Sequence, residues 1–229
     1  MPAKNVVKTY IKNGYYHLYN RGVEKRTIFV DSQDYNVFLN YLCDYLLPKD
    51  TQTLTKKLAD PSTPWTDKDR CIKLLKLKNF SGDITLIAYA LMPNHFHFVL
   101  KQKEQDTIDA FMNSLATRYA MYFNRKYRRV GPLFQGSYKG VAVTSDEQLL
   151  WLTSYVHRNH LSLQGVTLQT LSQQYSSYAE YIGLRKTSWI HSEETLGFFS
   201  KTNSSTSYAS FVSQSDEPLL LSGLAIDSD

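Results

Sequence analysis

Two histidines one residue apart are the residues of this sequence best suited to hold a metal ion. His95 and His97 lie in the run HFHFVL (residues 95–100), whose alternating pattern predicts a β-strand. Because successive side chains of a strand point to opposite faces, both imidazoles lie on one face. Neutral imidazoles side by side can occupy two adjacent positions around a divalent cation. The alternative is a pair of half-exposed histidines on a solvated strand, since short motifs often match by chance.

A tyrosine and an asparagine supply a second pair of groups. Tyr155 and Asn159 are four residues apart in a segment that predicts a helix, so their side chains are neighbours on one helix face. The Asn159 amide oxygen can complete a three-ligand metal site with His95 and His97, which leaves positions open for phosphate oxygens. The Tyr155 phenol can then attack the phosphorus that the metal polarises. The alternative for Tyr155 is ordinary packing, because the chain contains 17 tyrosines.

The elements that must position these side chains follow from hydrophobic periodicity. Strands are predicted at residues 14–21, 83–91, 95–101 and 138–143. Helices are predicted from Asp31 or Ser32 to about Leu47, from Asp106 to about Tyr127, and from Ser145 onward. The order is β-α-β-β-α-β followed by a helix. It predicts an α+β fold, a ferredoxin-like split β-α-β-β-α-β antiparallel sheet with helices on one face.

The predicted organisation divides the chain at about residue 162. Residues 1–162 form a catalytic domain, 163–212 a C-terminal helical extension, and 213–229 a flexible tail. Residues 48–69 are polar and contain Pro61 and Pro64, which predicts an insertion or a mobile loop. Within the extension, short helices are predicted at residues 175–184 and 192–200.

Four blocks of sequence together resemble the HUH single-tyrosine transposases, in particular the REP-associated tyrosine transposases. The blocks are YHLYNRG (16–22), ALMPNHFH (90–97), LFQGSYK (133–139) and YVHRN (155–159). The similarity covers roughly residues 10–162, and residues 176–189 resemble the extension of many members.

This resemblance implies a role for each matching residue. It makes His95, His97 and Asn159 the ligands of Mg²⁺ or Mn²⁺. It makes Tyr155 the nucleophile that cleaves single-stranded DNA, leaving a 5′-phosphotyrosine and a free 3′-OH. The chain departs from many relatives at His160, where they have proline, and His160 could compete as a ligand.

The charge distribution favours a polyanionic partner. The formal net charge is +5, but residues 1–191 hold 25 bases and 15 acids, a formal +10. Arginines bind phosphates and aromatic rings stack on unpaired bases, a mixture that suits single-stranded DNA. The predicted DNA-binding residues are Arg21, Arg118, Tyr122, Arg125, Lys126, Arg128, Arg129 and Lys139. The alternatives are a charge that serves solubility alone and a solvated helix whose cations offset the helix dipole.

The composition of the chain limits the cellular compartment and the class of protein that we expect. No apolar run approaches the ~20 residues of a membrane helix, and the first residues lack the apolar core of a signal peptide. Only Cys43 and Cys71 are present, which argues against a disulfide scaffold and a cysteine-type zinc site. A cytoplasmic, nucleoid-associated bacterial protein is expected, either monomer or homodimer. His17 and His191 are expected to be bystanders.

The predicted function is cleavage and rejoining of single-stranded DNA at hairpin-forming palindromic, REP-like elements. One alternative is a domesticated hairpin-binding protein without turnover. Another is an HUH replication nickase, although Tyr155 has no second tyrosine four residues away. The third is a ferredoxin-like RNA-binding domain, which would need exposed aromatic residues on its sheet and no metal ligands.

Overall fold

The computed structural model describes residues 10–163, 171–200, 202–203 and 206–213. The strands are β1 (Tyr15–Arg21), β2 (Ile84–Met92), β3 (His95–Gln102) and β4 (Lys139–Val143). The α-helices of the first 163 residues are α1 (Ser32–Leu46), α2 (Thr51–Ala59), α3 (Trp65–Lys76), α4 (Thr107–Lys126) and α5 (Asp146–Leu161). Three short helices follow: α6 (Tyr178–Tyr181), α7 (Glu193–Leu196) and α8 (Tyr208–Ser213).

The four strands form one antiparallel sheet in the order β2-β3-β1-β4. β1 and β3 are the central pair, with Tyr19 opposite His97 and Arg21 opposite His95. Crossover connections containing α1 and α4 join β1 to β2 and β3 to β4, respectively. This is the split β-α-β-β-α-β arrangement, so the predicted fold class is confirmed.

The two long crossover helices cover one face of the sheet. Phe38 of α1 packs against Phe96 and Phe98 of β3, with ring centroids 5.5 and 6.1 Å apart. Tyr119 of α4 packs edge-on against Phe38 at 4.9 Å, and its hydroxyl donates to the Ile28 carbonyl at 2.6 Å. The alternation of β3 therefore places its phenylalanines in this core and its histidines on the other side.

Helix α5 covers the opposite face. Its buried residues Leu149, Leu152 and Val156 share a core with Val99 of β3 and with Ile87, Ala88 and Ala90 of β2. The β2–β3 register shifts between Leu86 and Ala88, and this irregularity turns two consecutive β2 residues, 87 and 88, to the α5 side. The α5 helix begins after Ser145, whose hydroxyl accepts from the Gln148 amide at 3.1 Å. Tyr155 and Asn159 are thus carried by the helix that lies over the histidine face.

The structure corrects the prediction of a mobile loop at residues 48–69. This segment forms α2 and the start of α3, which pack against each other. The Asp50 side chain caps α2 by accepting from the Thr53 amide at 2.9 Å, and Pro64 occupies the N-cap of α3. Lys49 donates to the Leu75 carbonyl at 2.9 Å and also to that of Leu77, which closes the hairpin. Almost no residue of either helix is buried, so their sequences are polar and lack the apolar periodicity from which a helix is predicted.

The C-terminal extension packs on β2. The Leu91 amide donates to the Tyr175 carbonyl at 2.9 Å, and the His191 amide donates to the Leu86 carbonyl at 2.9 Å. The predicted helices at 175–184 and 192–200 are present in shorter form, as α6 and α7. Apart from Ser213, the predicted tail lies outside the described residues. No helix in the described part of the chain is long and apolar enough to cross a membrane.

Candidate active site

His95 and His97 lie on the same face of β3, as the alternation predicts. Their ring centroids are 4.8 Å apart and their planes are nearly perpendicular, at 83°. His97 is fully buried, whereas His95 is partly exposed. Burial, with a smaller effect from the neighbouring His17, lowers the pKa of His97 well below its usual value. His97 is therefore a neutral imidazole, the form that binds metals.

The Nδ1 atom of each histidine is engaged by a neighbour. His95 Nδ1 lies 2.6 Å from Asn94 Oδ1, and His97 Nδ1 lies 3.0 Å from His17 Nε2. His97 Nε2 is buried and has no hydrogen-bond partner among the described residues. A buried polar atom without a partner calls for an explanation such as an unseen ion or water.

His17 contacts the histidine pair, which the sequence does not predict. The sequence predicts a bystander, but the structure places the His17 ring parallel to that of His97, with centroids 5.2 Å apart. The strand pairing explains this, because His17 of β1 is opposite Val99, two residues along β3 from His97. The sequence places His17 in an alternating strand next to a tyrosine. That pattern does not show which other strand pairs with this one, so it cannot predict the contact with His97.

Tyr155 lies against the histidine pair. Its ring is edge-on to His97 at 5.8 Å and 87°, and edge-on to His17 at 6.3 Å and 81°. The side chain is 4% exposed, so the phenol is held in a packed environment. The structure thus brings together the predicted nucleophile and a predicted metal ligand from elements about 60 residues apart in sequence.

Asn159 lies one turn after Tyr155 on α5 and is half-buried. Its side-chain nitrogen is buried and has no hydrogen-bond partner within the described ranges. The oxygen and nitrogen of an asparagine amide are interchangeable by a flip of the side chain. The flipped amide would put an acceptor oxygen in that position, which is the atom a metal requires.

The donor set fits a divalent cation. Among the described residues, no group of three or more His, Cys, Asp or Glu side chains could hold a metal ion. A site here therefore depends on two imidazoles and the Asn159 amide, and the partnerless His97 Nε2 is the observation that favours it. Imidazoles are borderline donors and the amide oxygen is a hard one, a mixture that suits Mn²⁺ at least as well as Mg²⁺.

A cavity of about 240 Å³ opens beside His95, where β1 ends. It contains two of the predicted DNA-binding residues, Arg21 and Lys139, and adds a third cation, Lys25. Gln135, Gly136 and Ser137 form another wall, which is fixed by a 3.1 Å hydrogen bond from the Asn20 side chain to the Gly136 carbonyl. Sequence reasoning missed Lys25 because it lies in an irregular turn with positive φ (57°) rather than in a periodic element.

The structure does not bring the predicted α4 residues to this cavity, because α4 packs on the opposite sheet face. Arg118 pairs with Asp44 at 2.7 Å, while Tyr122 and Lys126 contact Asp34 at 2.9 and 2.7 Å. These three side chains, predicted to face DNA, are thus engaged by acidic residues of α1.

The end of α4 differs. Arg129 donates to the Asn124 side chain at 2.9 Å, whereas Arg125 and Arg128 are exposed. DNA binding by the α4 face stays a prediction.

The structure turns His160 towards the extension. Its Nε2 lies 3.1 Å from Gln174 Oε1, and burial lowers its pKa to about 4. The preceding histidine of the helix, His157, lies between the hydroxyls of Tyr208, at 2.6 Å, and Ser177, at 2.8 Å. These contacts tie α5 to the C-terminal extension.

Comparison with known proteins identifies part of the chain. Residues 62–159, a little under half of its length, match the family model described as "Transposase IS200 like". That segment contains His95, His97, Tyr155 and Asn159. No curated protein matches the chain.

Two solved structures show weaker likeness. One is a REP-associated tyrosine transposase bound to a REP hairpin, with 11% identity, a TM-score of 0.49, and coverage of 82% of this chain and 96% of that one. The other is a candidate transposase from Deinococcus radiodurans R1, with 17% identity, a TM-score of 0.31, and coverage of 68% and 98%. Neither likeness is strong enough to support an argument about the site.

Proposed function

From the match of residues 62–159 to the model "Transposase IS200 like", we propose that the chain is a metal-dependent DNA transposase with Tyr155 as its nucleophile. Its substrate would be single-stranded DNA that forms hairpins at palindromic, REP-like elements. The REP-associated subgroup is favoured by the four sequence blocks, among them LFQGSYK at residues 133–139.

One observation carries the proposal: Tyr155 of α5 packs edge-on against His97 of β3, with ring centroids 5.8 Å apart. A phenol next to a buried, neutral imidazole whose Nε2 has no hydrogen-bond partner among the described residues is an arrangement suited to attack on a metal-bound phosphate. Packing alone would explain the tyrosine, but it would leave the partnerless Nε2 of His97 unexplained.

His95, His97 and Asn159 would hold the cation. When bound, it supplies a positive charge that polarises the phosphodiester and stabilises the charge that develops during transfer. Asn94 and His17 hold the two imidazoles by hydrogen bonds at their Nδ1 atoms. The cations Arg21, Lys25 and Lys139 of the neighbouring cavity can hold the phosphates on either side of the reacting one.

The reaction conserves the ester. Tyr155 Oη loses its proton and forms a bond to phosphorus, while the bond from phosphorus to the 3′-oxygen breaks. That oxygen takes up a proton and leaves as a free 3′-OH, and the 5′ side stays on the protein as a phosphotyrosine. A 3′-OH from a second strand can attack the same phosphorus, which restores the phenol and joins the strands.

The test is covalent capture of DNA. The full chain is incubated with end-labelled hairpin oligonucleotides from the flanks of its own gene, with Mn²⁺, Mg²⁺ or EDTA. We expect a labelled adduct that survives denaturing electrophoresis, requires the cation, and is lost in Tyr155→Phe. Tyr16→Phe is the matched control, because the Tyr16 hydroxyl accepts from the Ile11 amide and contacts neither histidine of the site, and it should retain the adduct.

The outcomes separate the remaining functions. Tight hairpin binding without an adduct in any metal would contradict the transposase and favour the domesticated binding protein. An adduct that persists in Tyr155→Phe would show that a residue other than Tyr155 is the nucleophile. Sedimentation of the protein with and without hairpin DNA would separate monomer from homodimer.

A further inference from the structure

The contact between His17 and His97 joins two fully buried side chains of the central strands. His17 Nε2 lies 3.0 Å from His97 Nδ1, and the rings are stacked with an interplanar angle of 17°. Both residues have no exposed surface. In such surroundings a hydrogen bond is strong, and the hydrogen must be on one of the two nitrogens.

The neighbouring histidine shows which arrangement suits the site. His95 Nδ1 lies 2.6 Å from Asn94 Oδ1. The Asn94 side-chain nitrogen donates to the Lys25 carbonyl at 3.2 Å, which orients the amide oxygen towards His95. Because an amide oxygen only accepts, His95 Nδ1 carries the hydrogen and the lone pair of the neutral ring is on Nε2. The same arrangement at His97 requires that its Nδ1–H donate to His17.

We propose that His17 is a positioning residue, which accepts the Nδ1–H of His97 and so keeps the lone pair of His97 Nε2 available to the metal. Asn94 does the same for His95. Hydrogen-bond partners of this kind set both the tautomer and the ring orientation of a metal-binding histidine. The inference deepens the proposed function and rests on its metal site.

Packing alone would not demand a histidine at this position. A phenylalanine would provide a ring to stack on His97 and to receive the edge of Tyr155. Phenylalanine lacks ring nitrogens, and one of those of His17, Nε2, is the atom 3.0 Å from His97 Nδ1. The partnerless Nε2 of His97 marks the other end of the same ring as the ligand.

The first measurement needs no metal. The ring nitrogens of the ¹⁵N-histidine-labelled full chain report the tautomer of each imidazole by NMR, and His97→Gln identifies the His97 signals. We expect hydrogen on Nδ1 and a bare Nε2 for His97. Hydrogen on Nε2 in the metal-free protein would overturn the inference, whatever the protein does with DNA.

The second measurement is Mn²⁺ affinity by titration calorimetry. His17→Phe keeps the ring and removes the acceptor, so affinity should fall by about 10- to 100-fold. His17→Gln offers a carbonyl acceptor and should recover part of that loss. Tyr16→Phe is the matched control on the same strand. Its hydroxyl accepts from the Ile11 amide and serves no histidine, so affinity should stay within about twofold.

The outcomes distinguish the inference from the function on which it rests. Wild-type affinity in His17→Phe would overturn the role of His17 and leave the metal site intact. Absence of Mn²⁺ and Mg²⁺ binding by the wild-type chain would contradict the metal site itself. If His17→Phe does not fold, the Mn²⁺ affinity of His17→Gln and the His97 tautomer in the wild-type protein still test the role of His17.

Discussion

The ammonium group of Lys126 lies 2.7 Å from the carboxylate of Asp34, a residue 92 positions earlier in the chain. Asp34 has no exposed side-chain surface, and it also accepts from the hydroxyls of Tyr122 and Tyr127 at 2.9 and 2.7 Å. The Val30 amide donates to it at 2.8 Å. These contacts fix the end of α4 to the start of α1, so this stretch of basic and aromatic residues has a structural role.

Asp34→Asn should destabilise the protein by about 3 kcal/mol, because it gives one acceptor where several donors converge and leaves Lys126 only its partly exposed pair with Asp31. Urea unfolding measures this. Asp44→Asn is the control, since its pair with Arg118 is partly exposed and should be worth about 1 kcal/mol or less. Equal losses in the two variants would show that burial of Asp34 does not matter.

Asp34 should also shape the stability of the protein in acid. Burial acts to raise the pKa of this carboxyl group, but hydrogen bonds from Lys126 and Tyr127 outweigh it and hold the pKa below its ordinary value. Its contribution is therefore complete above the unfolded-state pKa of about 4 and is lost as pH falls through the folded-state pKa. Urea midpoints from pH 6 to pH 2 should fall less steeply for Asp34→Asn than for the wild type. Parallel curves would refute the assignment.

The cavity beside His95 should bind DNA through charge. Arg21→Gln and Lys139→Gln should each weaken binding of single-stranded DNA several-fold, and each should lower the salt dependence of log Kd by about 0.7 per lost phosphate contact. Fluorescence anisotropy over a range of salt concentrations measures both quantities. Lys57→Gln, on the exposed surface of α2, is the control and should change neither. An equal effect of the control would indicate binding by net charge alone.

The α2–α3 hairpin should loosen without Lys49. Lys49→Met keeps the alkyl chain but removes the hydrogen bonds to the Leu75 and Leu77 carbonyls, a local cost of about 1 kcal/mol. Hydrogen exchange at residues 65–76 should accelerate by about fivefold, while α4 is unchanged. Lys56→Met, an exposed residue of α2, is the comparison and should leave all rates as they are. Faster exchange throughout the chain would instead indicate global destabilisation.

Local patterns were sufficient to predict the sheet and its long helices. The alternation at residues 95–100 placed His95 and His97 on one face, and Asp31 and Ser145 marked the starts of α1 and α5. These features depend on residues close together in sequence. The period of the side chains and the capping residues can therefore be recognised from the sequence alone. The spacing of Tyr155 and Asn159 on α5 is of the same kind.

The partners that lie far away in sequence could not be predicted. Lys126 lies among basic and aromatic residues, a setting that is typical of DNA-binding residues. Only the packing of α4 on α1 shows that Lys126 forms an ion pair with Asp34. His17 has the appearance of an ordinary strand residue until β1 lies beside β3. Residues 51–59 form a helix although they lack an apolar stripe wide enough to predict one.

The central position of β1 sets the order in which this protein can assemble during synthesis. The strand that carries His17 leaves the ribosome first, but its neighbours β3 and β4 follow about 80 and 125 residues later. Such distant pairings are slow to form. A nascent chain that ends before residue 139 leaves one side of β1 without its strand, and an open edge of this kind pairs readily with other chains. Completion of β4 therefore protects the newly made chain from aggregation as well as closing the wall of the cavity beside His95.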